Sequence, residues 1–283
     1  MLLKQNIFIK KVNSMFYRYT ASIVLYNSNQ SDIENIIKNF DSNIFIFLID
    51  NSPVDILKVV ATSNNVKYIH NPSNPGFGAA HNLAIIKSIE IGSILHFIVN
   101  PDVVFDRNVV LTLIRKMEQD SKIGMIMPKI LNLDGTTQFL PKLLPSPFSI
   151  VLRKIKKPKS LYNRIIDTYE LRSVPECKVY NSPIISGCFT CVNLKAMLDV
   201  GLYDDKYFMY FEDWDLSRRI HKNYKTLYYP KVSIYHGYKS GANKNLKLFF
   251  EFLKSAFYYF NKWGWFIDKD RRVINQLALI QFT

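Results

Sequence analysis

The chain has 283 residues, of which 48% are hydrophobic and 21% are charged, so its composition excludes a wholly disordered protein and predicts a packed fold. Lys and Arg number 37 against 23 Asp and Glu, and the net charge of +14 favours an anionic partner: nucleic acid, lipid head groups or a phosphorylated small molecule. Three cysteines cannot form a fully paired disulfide framework, and no apolar run reaches the about 18 residues of a membrane-spanning helix, so we expect a cytoplasmic protein that does not cross a membrane.

The predicted elements alternate between strands and helices. Residues 1–20 are predicted to be an extension without an export signal, because three lysines interrupt their apolar residues. Ser31 and Glu34 have the spacing of a capping box that begins a helix ending near Phe40. Strands are predicted at 21–27, 43–50, 66–70 and 94–99, and a second helix at roughly 79–90. This alternation predicts an α/β fold with a mostly parallel central sheet and helices on both faces.

Polar side chains follow each of the four predicted strands. Because right-handed crossovers bring the carboxyl ends of parallel strands to one edge of the sheet, these side chains are expected to share a ligand-binding crevice. A single Asp at a strand end is more often a turn or cap residue, but four polar strand ends in register favour a site. The residues concerned are Tyr26, Asn27, Asp50, Asn51, the loop 71–82, Asn100 and Asp102.

The loop 71–82, "NPSNPGFGAAHN", places Gly76 and Gly78 ahead of a predicted helix. Such glycines permit close approach of the backbone to a phosphate at a helix N-terminus. The loop lacks both the third glycine of a dinucleotide-binding motif and the lysine of a Walker loop. By itself it is weak support for a phosphate site.

The stretch "VNPDVVF" (99–105) delivers one carboxylate, Asp102, at the end of a strand and after a rigid Asn-Pro pair. A single carboxylate suits a hard divalent cation, Mg²⁺ or Mn²⁺, that is otherwise held by water and substrate phosphates. The alternative is that Asp102 caps the helix predicted to begin near Arg107. Both interpretations stay open at this point.

A second acidic motif is "FMYFEDWDLSRRI" (208–220), in which three carboxylates adjoin aromatic residues. Asp215 is predicted to form a structural ion pair with Arg218 or Arg219 on a helix. Glu212 and Asp213 either complement the dipole of that helix or take part in chemistry. Cys188 and Cys191 are predicted to be buried strand residues rather than zinc ligands, because no second pair or nearby histidine accompanies them.

Together, these stretches resemble family 2 glycosyltransferases, and within them the rhamnosyltransferase-like branch that builds bacterial surface polysaccharides. The resemblance covers about residues 20–245, and the motifs that carry it, in the family's order, are "SIVLYN", "LIDNSP", "NPGFGAAHN", "VNPD", "ISGCFTCVNLKAMLDVGLYDDKYFMYFEDWDL" and "SIYHGYKSG". It implies a GT-A fold, a nucleotide-sugar donor and inversion of the anomeric centre. We therefore expect a GT-A domain at 21–243.

The resemblance also implies roles for individual residues. Asp50 matches the acid that contacts the base or ribose of the donor, and Asp102 matches the metal and diphosphate ligand, with Asn100 in place of the family's first acid. Asp213 matches the catalytic base, and His236 matches a histidine near the metal. Glu212 and Trp214 are expected on the acceptor side, where Phe208, Tyr210, Phe211 and Trp214 would wall a sugar-sized pocket and raise the pKa of the acids. The donor is expected to contact Tyr26, Asn27, Asp50, Asn51, Gly76, Gly78, Asn82, Asn100 and Asp102.

The expected activity is transfer of L-rhamnose from dTDP-rhamnose to a hydroxyl of a lipid-linked polysaccharide such as O-antigen. UDP-hexoses and UDP-galactofuranose are alternative donors. A nucleotidyltransferase is disfavoured because no basic, glycine-rich fingerprint follows the first strand. A nucleic-acid-binding protein is disfavoured because the basic stretch 153–164 contains few aromatic residues.

The C-terminal segment 244–283 combines Phe, Tyr and Trp with Lys at helical spacing. One interpretation is that its apolar face packs on the catalytic domain; the other is that it lies in the bilayer interface, anchored by Trp263 and Trp265, at the inner face of the bacterial cytoplasmic membrane. The predicted face consists of Leu246, Phe249, Phe250, Leu253 and Phe257.

Overall fold

The computed structural model describes residues 17–237 and 245–283. The predicted extension at 1–20 and the end of the "SIYHGYKSG" motif therefore lie largely outside the described residues. In the described ranges the strands are β1 (Tyr19–Leu25), β2 (Ile44–Asp50), β3 (Val66–His70), β4 (Leu95–Val99), β5 (Val103–Val104), β6 (Ile123–Leu131), β7 (Tyr180–Asn181), β8 (Phe189–Asn193) and β9 (Lys225–His236). The helices are α1 (Gln30–Asn39), α2 (Phe77–Glu90), α3 (Arg107–Gln119), α4 (Pro147–Ile155), α5 (Lys159–Tyr169), α6 (Leu194–Val200), α7 (Glu212–His221), α8 (Leu246–Trp263) and α9 (Lys269–Ile280), with a short 3₁₀ helix at Ile56–Val60.

The strands form a single sheet in the order β3-β2-β1-β4-β8-β6-β9-β5, with β7 paired to β9. The half built from β3, β2, β1 and β4 is parallel, as predicted, and β9 is parallel to β6. Strand β8 runs antiparallel between β4 and β6, and β5 and β7 are antiparallel to β9. The sheet is thus a parallel Rossmann-like half joined to a mixed half.

Helix starts differ from the predictions in two places. The side chain of Asn29 caps α1 by accepting the backbone N–H of Ser31 at 2.9 Å, so the capping box assigned to Ser31 and Glu34 is wrong. With Asn29 as the N-cap, Ser31 already lies within the first turn of α1 and cannot be the cap residue. Asp106 caps α3 by accepting the N–H of Asn108 at 2.7 Å. Asp102 is therefore not the cap of that helix.

The core of the sheet is made of its own aliphatic strand residues, and the C-terminal segment is attached to it at several points. Ala256, Tyr259 and Phe260 of α8 pack against Tyr207 and Phe211. Arg218 and Asp268 form a buried bidentate ion pair with N–O distances of 2.7 and 2.8 Å. Within the described ranges no helix combines the length and the apolar character needed to cross a bilayer.

The face of α8 predicted from the 3, 4, 3, 4 spacing is not the face that packs on the domain. Leu246, Phe250, Leu253 and Phe257 are 78%, 65%, 45% and 59% exposed. The interpretation that this row packs on the catalytic domain is wrong, because α8 is apolar on two faces and the other one, with Ala256, Tyr259 and Phe260, is buried. Cys188 and Cys191 are both buried free thiols, as predicted; Cys191 lies in β8, whereas Cys188 immediately precedes that strand.

Candidate active site

A cleft of about 1150 Å³ opens at the carboxyl ends of β1 and β4. Asp102 follows β4 and Asp213 lies in the first turn of α7, 111 residues later, and both line this cleft. Of the predicted site residues, the cleft is lined by Tyr26, Asn27, Asn100, Asp102, Glu212, Asp213 and His236. The topology thus brings together residues from four separate motifs.

One part of the cleft is built from the end of β4 and the end of β9. Asp102 Oδ1 lies 3.3 Å from His236 Nε2, and Asn100 Nδ2 lies 3.3 Å from the same nitrogen. His236 Nδ1 lies 3.2 Å from Oε1 of Gln138, to which it donates, so Nε2 is the nitrogen that faces Asp102. Burial raises the pKa of Asp102, but the hydrogen bond and charge of His236 outweigh it and hold the pKa below its usual value.

These residues fit a site for a divalent cation whose remaining ligands come from the substrate. Among the described residues no three His, Cys, Asp or Glu side chains are grouped as a closed metal site. Asp102 and His236 could supply two ligands, and the buried Oδ1 of Asn100 has no hydrogen-bond partner within the described ranges. Mg²⁺ and Mn²⁺ accept one or two protein ligands when a diphosphate and water provide the others. A site of this kind can therefore form only together with a phosphorylated ligand.

The other part of the cleft contains two adjacent carboxyl groups. Asp213 Oδ2 accepts the backbone N–H of Gly187 at 3.2 Å, and burial raises the pKa of Asp213 to about 6. Glu212 is 6% exposed, and none of the described residues forms a hydrogen bond with its Oε2. Burial and the neighbouring Asp213 charge raise the pKa of Glu212 well above its usual value. The pKa values of both carboxyl groups in this pair are therefore raised, chiefly by burial.

The chain presents these acids through a strained turn. Tyr210 and Phe211 have φ angles of 71° and 66°, a left-handed conformation that costs energy for aromatic residues. The turn is fixed by Ser255 of α8, whose Oγ donates to the carbonyl of Met209 at 2.8 Å. It is also fixed on its other side, where the carbonyl of Phe208 accepts the N–H of Phe77 at 2.9 Å. Helix α8 thus helps to position the first turn of α7.

Most of the aromatic residues near the acids do not form the predicted pocket wall. Tyr210 lines the cleft, but Phe211 and Trp214 meet edge to face, with ring centroids 4.5 Å apart, and pack toward α8. Neither residue lines the cleft, and Phe208 does not line it either, so the predicted aromatic wall is wrong for these three residues. The position of Trp214 gives no support to its predicted contact with the acceptor.

The ion pair predicted for Asp215 is confirmed with one of its two candidate partners. Arg219 Nε lies 2.8 Å from Asp215 Oδ2, whereas Arg218 pairs with Asp268 instead. Asp215 also accepts the indole N–H of Trp263 at 2.8 Å. Its role is structural: it joins α7 to the end of α8.

Several residues predicted to bind the donor are engaged in internal contacts and lie outside the cleft lining. The carboxylate of Asp50 accepts the hydroxyl of Tyr68 at 2.6 Å and the N–H of Ser52 at 2.9 Å. The amide of Asn82 bonds to the backbone of Tyr203 in both directions, at 2.9 and 3.0 Å. The other such residues are Asn51, which accepts from Asn71, and Gly76 and Gly78.

The two glycines have a packing reason for being glycine. A Cβ on Gly76 would lie 2.3 Å from the carbonyl oxygen of Phe208, and one on Gly78 would lie 2.9 Å from Cβ of Tyr203. Both contacts join the start of α2 to the segment that leads to the acidic motif. In this structure the loop 71–82 therefore packs against the segment that precedes the acids and helps to position them.

Sequence reasoning missed three contributors to the site. Gly187 orients Asp213 through its N–H, Gln138 orients His236, and Leu248 of α8 lines the cleft. Gly187 lies within the motif "ISGC", which gave a signal for the family but none for this contact. Gln138 and Leu248 carry no signal, because they reach the site only through the fold of distant segments.

The sheet, with its parallel half and its mixed half, has the architecture of the GT-A glycosyltransferases. GalNAc-T7, solved with UDP, GalNAc and Mn²⁺, aligns with a TM-score of 0.59 and 18% identity over 78% of this chain and 43% of its own. A mannosyltransferase from Pyrobaculum calidifontis, in complex with GDP-Man and Mn²⁺, aligns with a TM-score of 0.54 and 15% identity over 84% of this chain and 61% of its own. At these identities the likeness shows the fold, and it confirms the predicted GT-A architecture.

The sequence is similar to a particular glycosyltransferase of known specificity. It is 24% identical over 204 residues to the N-acetylglucosaminyl-diphospho-decaprenol L-rhamnosyltransferase of Mycobacterium tuberculosis. The match covers 68% of this chain and 66% of that relative, so it spans about two thirds of the relative's length. No family model matches the chain. The predicted resemblance to glycosyltransferases, and among them to a rhamnosyltransferase, is confirmed.

Proposed function

We propose that this protein is an inverting glycosyltransferase that moves a sugar from a nucleotide-sugar to a hydroxyl group of a lipid-linked acceptor. The observation that carries the proposal is that Asp102 and Asp213, from motifs 111 residues apart, line one cleft of about 1150 Å³. A cleft of this size accommodates a nucleotide-sugar. The two carboxylates would then act on opposite faces of the transferred sugar ring.

On the leaving-group side, the residues would stabilise the diphosphate as the bond to the sugar breaks. Asp102, His236 and Asn100 would hold Mg²⁺ or Mn²⁺, which supplies positive charge for the developing negative charge on the diphosphate. Asp102 suits this role because carboxylate oxygen is a ligand that these hard cations prefer. Gln138 would keep His236 in the orientation that faces Asp102.

On the acceptor side, Asp213 would serve as general base. The acceptor oxygen attacks the anomeric carbon, its proton passes to Asp213, and the bond from that carbon to the diphosphate oxygen breaks. Because attack and departure occur on opposite faces, the anomeric configuration inverts. A pKa of about 6 leaves Asp213 ionised at neutral pH and makes it a stronger base than an ordinary aspartate.

Glu212 would bind the acceptor as a neutral acid. Glu212 lines the same cleft, and its buried Oε2 has no hydrogen-bond partner among the described residues. A protonated carboxyl group donates one hydrogen bond, and an acceptor hydroxyl oxygen would receive it. This interaction would position the attacking hydroxyl beside Asp213.

The proposed donor is dTDP-L-rhamnose, because the curated relative is an L-rhamnosyltransferase. UDP-hexoses and UDP-galactofuranose remain the alternative donors for this fold. The proposed acceptor is a sugar carried on a polyprenyl diphosphate, as in the relative's name, within the assembly of a surface polysaccharide such as O-antigen. Such an acceptor would place the enzyme at the inner face of the bacterial cytoplasmic membrane.

A transfer assay tests this proposal. The purified protein is incubated with Mn²⁺, N-acetylglucosaminyl-diphospho-polyprenol and dTDP-rhamnose, UDP-galactose or UDP-galactofuranose in separate reactions. The expected result is transfer from dTDP-rhamnose, with inversion at the anomeric carbon seen by NMR. Transfer with retained configuration, or no transfer from any of the three donors, would contradict the proposal.

A further inference from the structure

Helices α4 and α8 lie side by side and antiparallel on the outside of the domain. Lys154, near the end of α4, lies over the ring of Phe252 at 4.6 Å, in the first half of α8. At the other end, Arg271 Nη1 donates to the carbonyl of Pro145, before α4, at 3.2 Å, and to that of Trp265, just after α8, at 3.4 Å. Ile150 closes the seam between the two helices by packing with Ala256 and Phe260.

Each of these helices carries a row of exposed apolar side chains on its outer face. At about 100° per residue, the exposed residues of α8 fall within a stripe roughly 60° wide, and those of α4 fall within a similar stripe. Phe257 stacks on Trp265 at 5.4 Å, so the stripe of α8 continues into the turn after it. The members are Leu246, Phe250, Leu253 and Phe257 on α8, Phe148, Val151 and Ile155 on α4, and Phe266 and Ile267 in the turn.

Positive charge accompanies the apolar rows. Residues 145–160 and 245–267 contain eight Lys and Arg and one acid, Glu251. Lys247 and Lys254 are exposed on one flank of the α8 stripe, and Lys154 is exposed on the other. Lysines in this position extend along an apolar surface and keep their ammonium groups at its polar boundary.

We propose that the outer surface of α4, α8 and the turn at 264–267 docks on a bilayer that contains anionic lipids. A bilayer fits both properties of this surface: the apolar rows enter the acyl boundary, and the flanking lysines meet anionic head groups. A face covered by a second protein chain would not need a lysine on each flank of its apolar stripe. The inference extends the proposed location at the membrane, which rests on the proposed function, by naming the surface and the lipid class.

The docking surface and the cleft lie on opposite sides of helix α8. Leu248 of α8 lines the cleft, and Ser255 of α8 holds the carbonyl of Met209, three residues before Glu212. Docking through the outer face of α8 would therefore place the cleft next to the membrane. An acceptor anchored in that membrane could then reach Asp213 without leaving the bilayer.

Vesicle flotation of the full chain tests this inference. The wild type is expected to float with vesicles of phosphatidylcholine and phosphatidylglycerol, and about tenfold less with phosphatidylcholine alone. The triple variant F250S/L253S/F257S is expected to lose binding about tenfold or more. The matched control is V54S/I56S/V59S, which removes apolar side chains that are 56%, 72% and 58% exposed beside the distant 3₁₀ helix and is expected to bind like wild type.

A second variant keeps the test decisive if the serine variant does not fold. Lys156, Lys157 and Lys159 are exposed next to α4, and their replacement by glutamine is expected to abolish the preference for phosphatidylglycerol. Absence of flotation of the wild type, or equal flotation of wild type and both variants, would overturn the inference. A wild-type dimer in solution that the serine variant converts to monomer, without vesicle binding, would identify a second copy as the occupant and also overturn it. Vesicle binding without transferase activity would contradict only the proposed function.

Discussion

Replacement of Asp213 by Asn tests the proposed general base. The amide has the size of the carboxylate, and its Oδ1 can still accept the N–H of Gly187, now 3.2 Å from Asp213, so the fold and the donor side are expected to be retained. The amide cannot accept a proton. General-base catalysis contributes about 10²- to 10⁴-fold, and kcat is therefore expected to fall by that factor, or about 3–5 kcal/mol in the activation free energy.

The pH dependence of the wild type supplies an independent measure of the same group. Because the pKa of Asp213 is raised to about 6, its active form, the carboxylate, is half populated near pH 6. It falls to about one tenth at pH 5, so kcat/KM should fall about tenfold there relative to pH 8. The assay is steady-state transfer at saturating donor between pH 5 and 8. The matched control is Asp32→Asn, because Asp32 is an exposed carboxylate that lines the same cleft. Turnover of Asp213→Asn within about threefold of wild type, or a rate that stays constant down to pH 5, would refute the reasoning.

Three further predictions follow from named contacts. Glu212→Gln keeps a hydrogen-bond donor and should retain most of the turnover. Glu212→Ala removes that donor and should raise the KM for the acceptor about tenfold or more. A Glu212→Gln variant that folds normally but is inactive would show that Glu212 acts as a carboxylate. Gly76→Ala places a Cβ 2.3 Å from a carbonyl oxygen at a residue whose φ is 107°. It should lower the free energy of unfolding by about 2 kcal/mol more than Gly135→Ala, because Gly135 has a φ of 84° but its Cβ would lie within 4 Å of no described atom. Equal melting temperatures of the two variants would argue against the clash. Asp268→Asn breaks the buried ion pair with Arg218 and should lower the free energy of unfolding in urea by about 3–5 kcal/mol. The control Asp270→Asn breaks the exposed ion pair with Lys222 and should lower it by less than about 1 kcal/mol. Similar losses in the two variants would show that the buried pair does not anchor the C-terminal segment.

The sequence predicted the elements that position the site with little error. Strands β1 to β4 lie within two residues of the predicted bounds, because each is a short apolar run bounded by turn residues. The strand-end rule then placed Asn100 and Asp102 at the cleft. Apart from the buried strand position of Cys191 in β8, the predictions did not include strands β5 to β9, of which β5 and β7 are only two residues long.

The predicted side-chain contacts were wrong where an apolar residue could pack against either of two parts of the protein. Phe211 and Trp214 flank the acids Glu212 and Asp213 along the chain, but they pack on α8, which begins more than 30 residues later. The spacing in α8 correctly indicated an apolar face, yet could not say which of its two apolar faces meets the protein. The hydrogen bond from Tyr68 to Asp50 was likewise beyond prediction, because Tyr68 belongs to a neighbouring strand; the predicted donor contact of Asp50 stays a prediction. Periodicity describes one element, whereas these contacts depend on which elements meet.

The most direct test asks whether Asp102 binds the donor diphosphate while Asp213 acts only on the acceptor. It measures the binding of dTDP to variants of these two aspartates by calorimetry with Mn²⁺ present. The account predicts that Asp213→Asn binds dTDP within about threefold of the wild-type affinity, whereas Asp102→Asn loses about tenfold or more and no longer responds to Mn²⁺. Equal loss of binding in both variants, or loss only in Asp213→Asn, would contradict it.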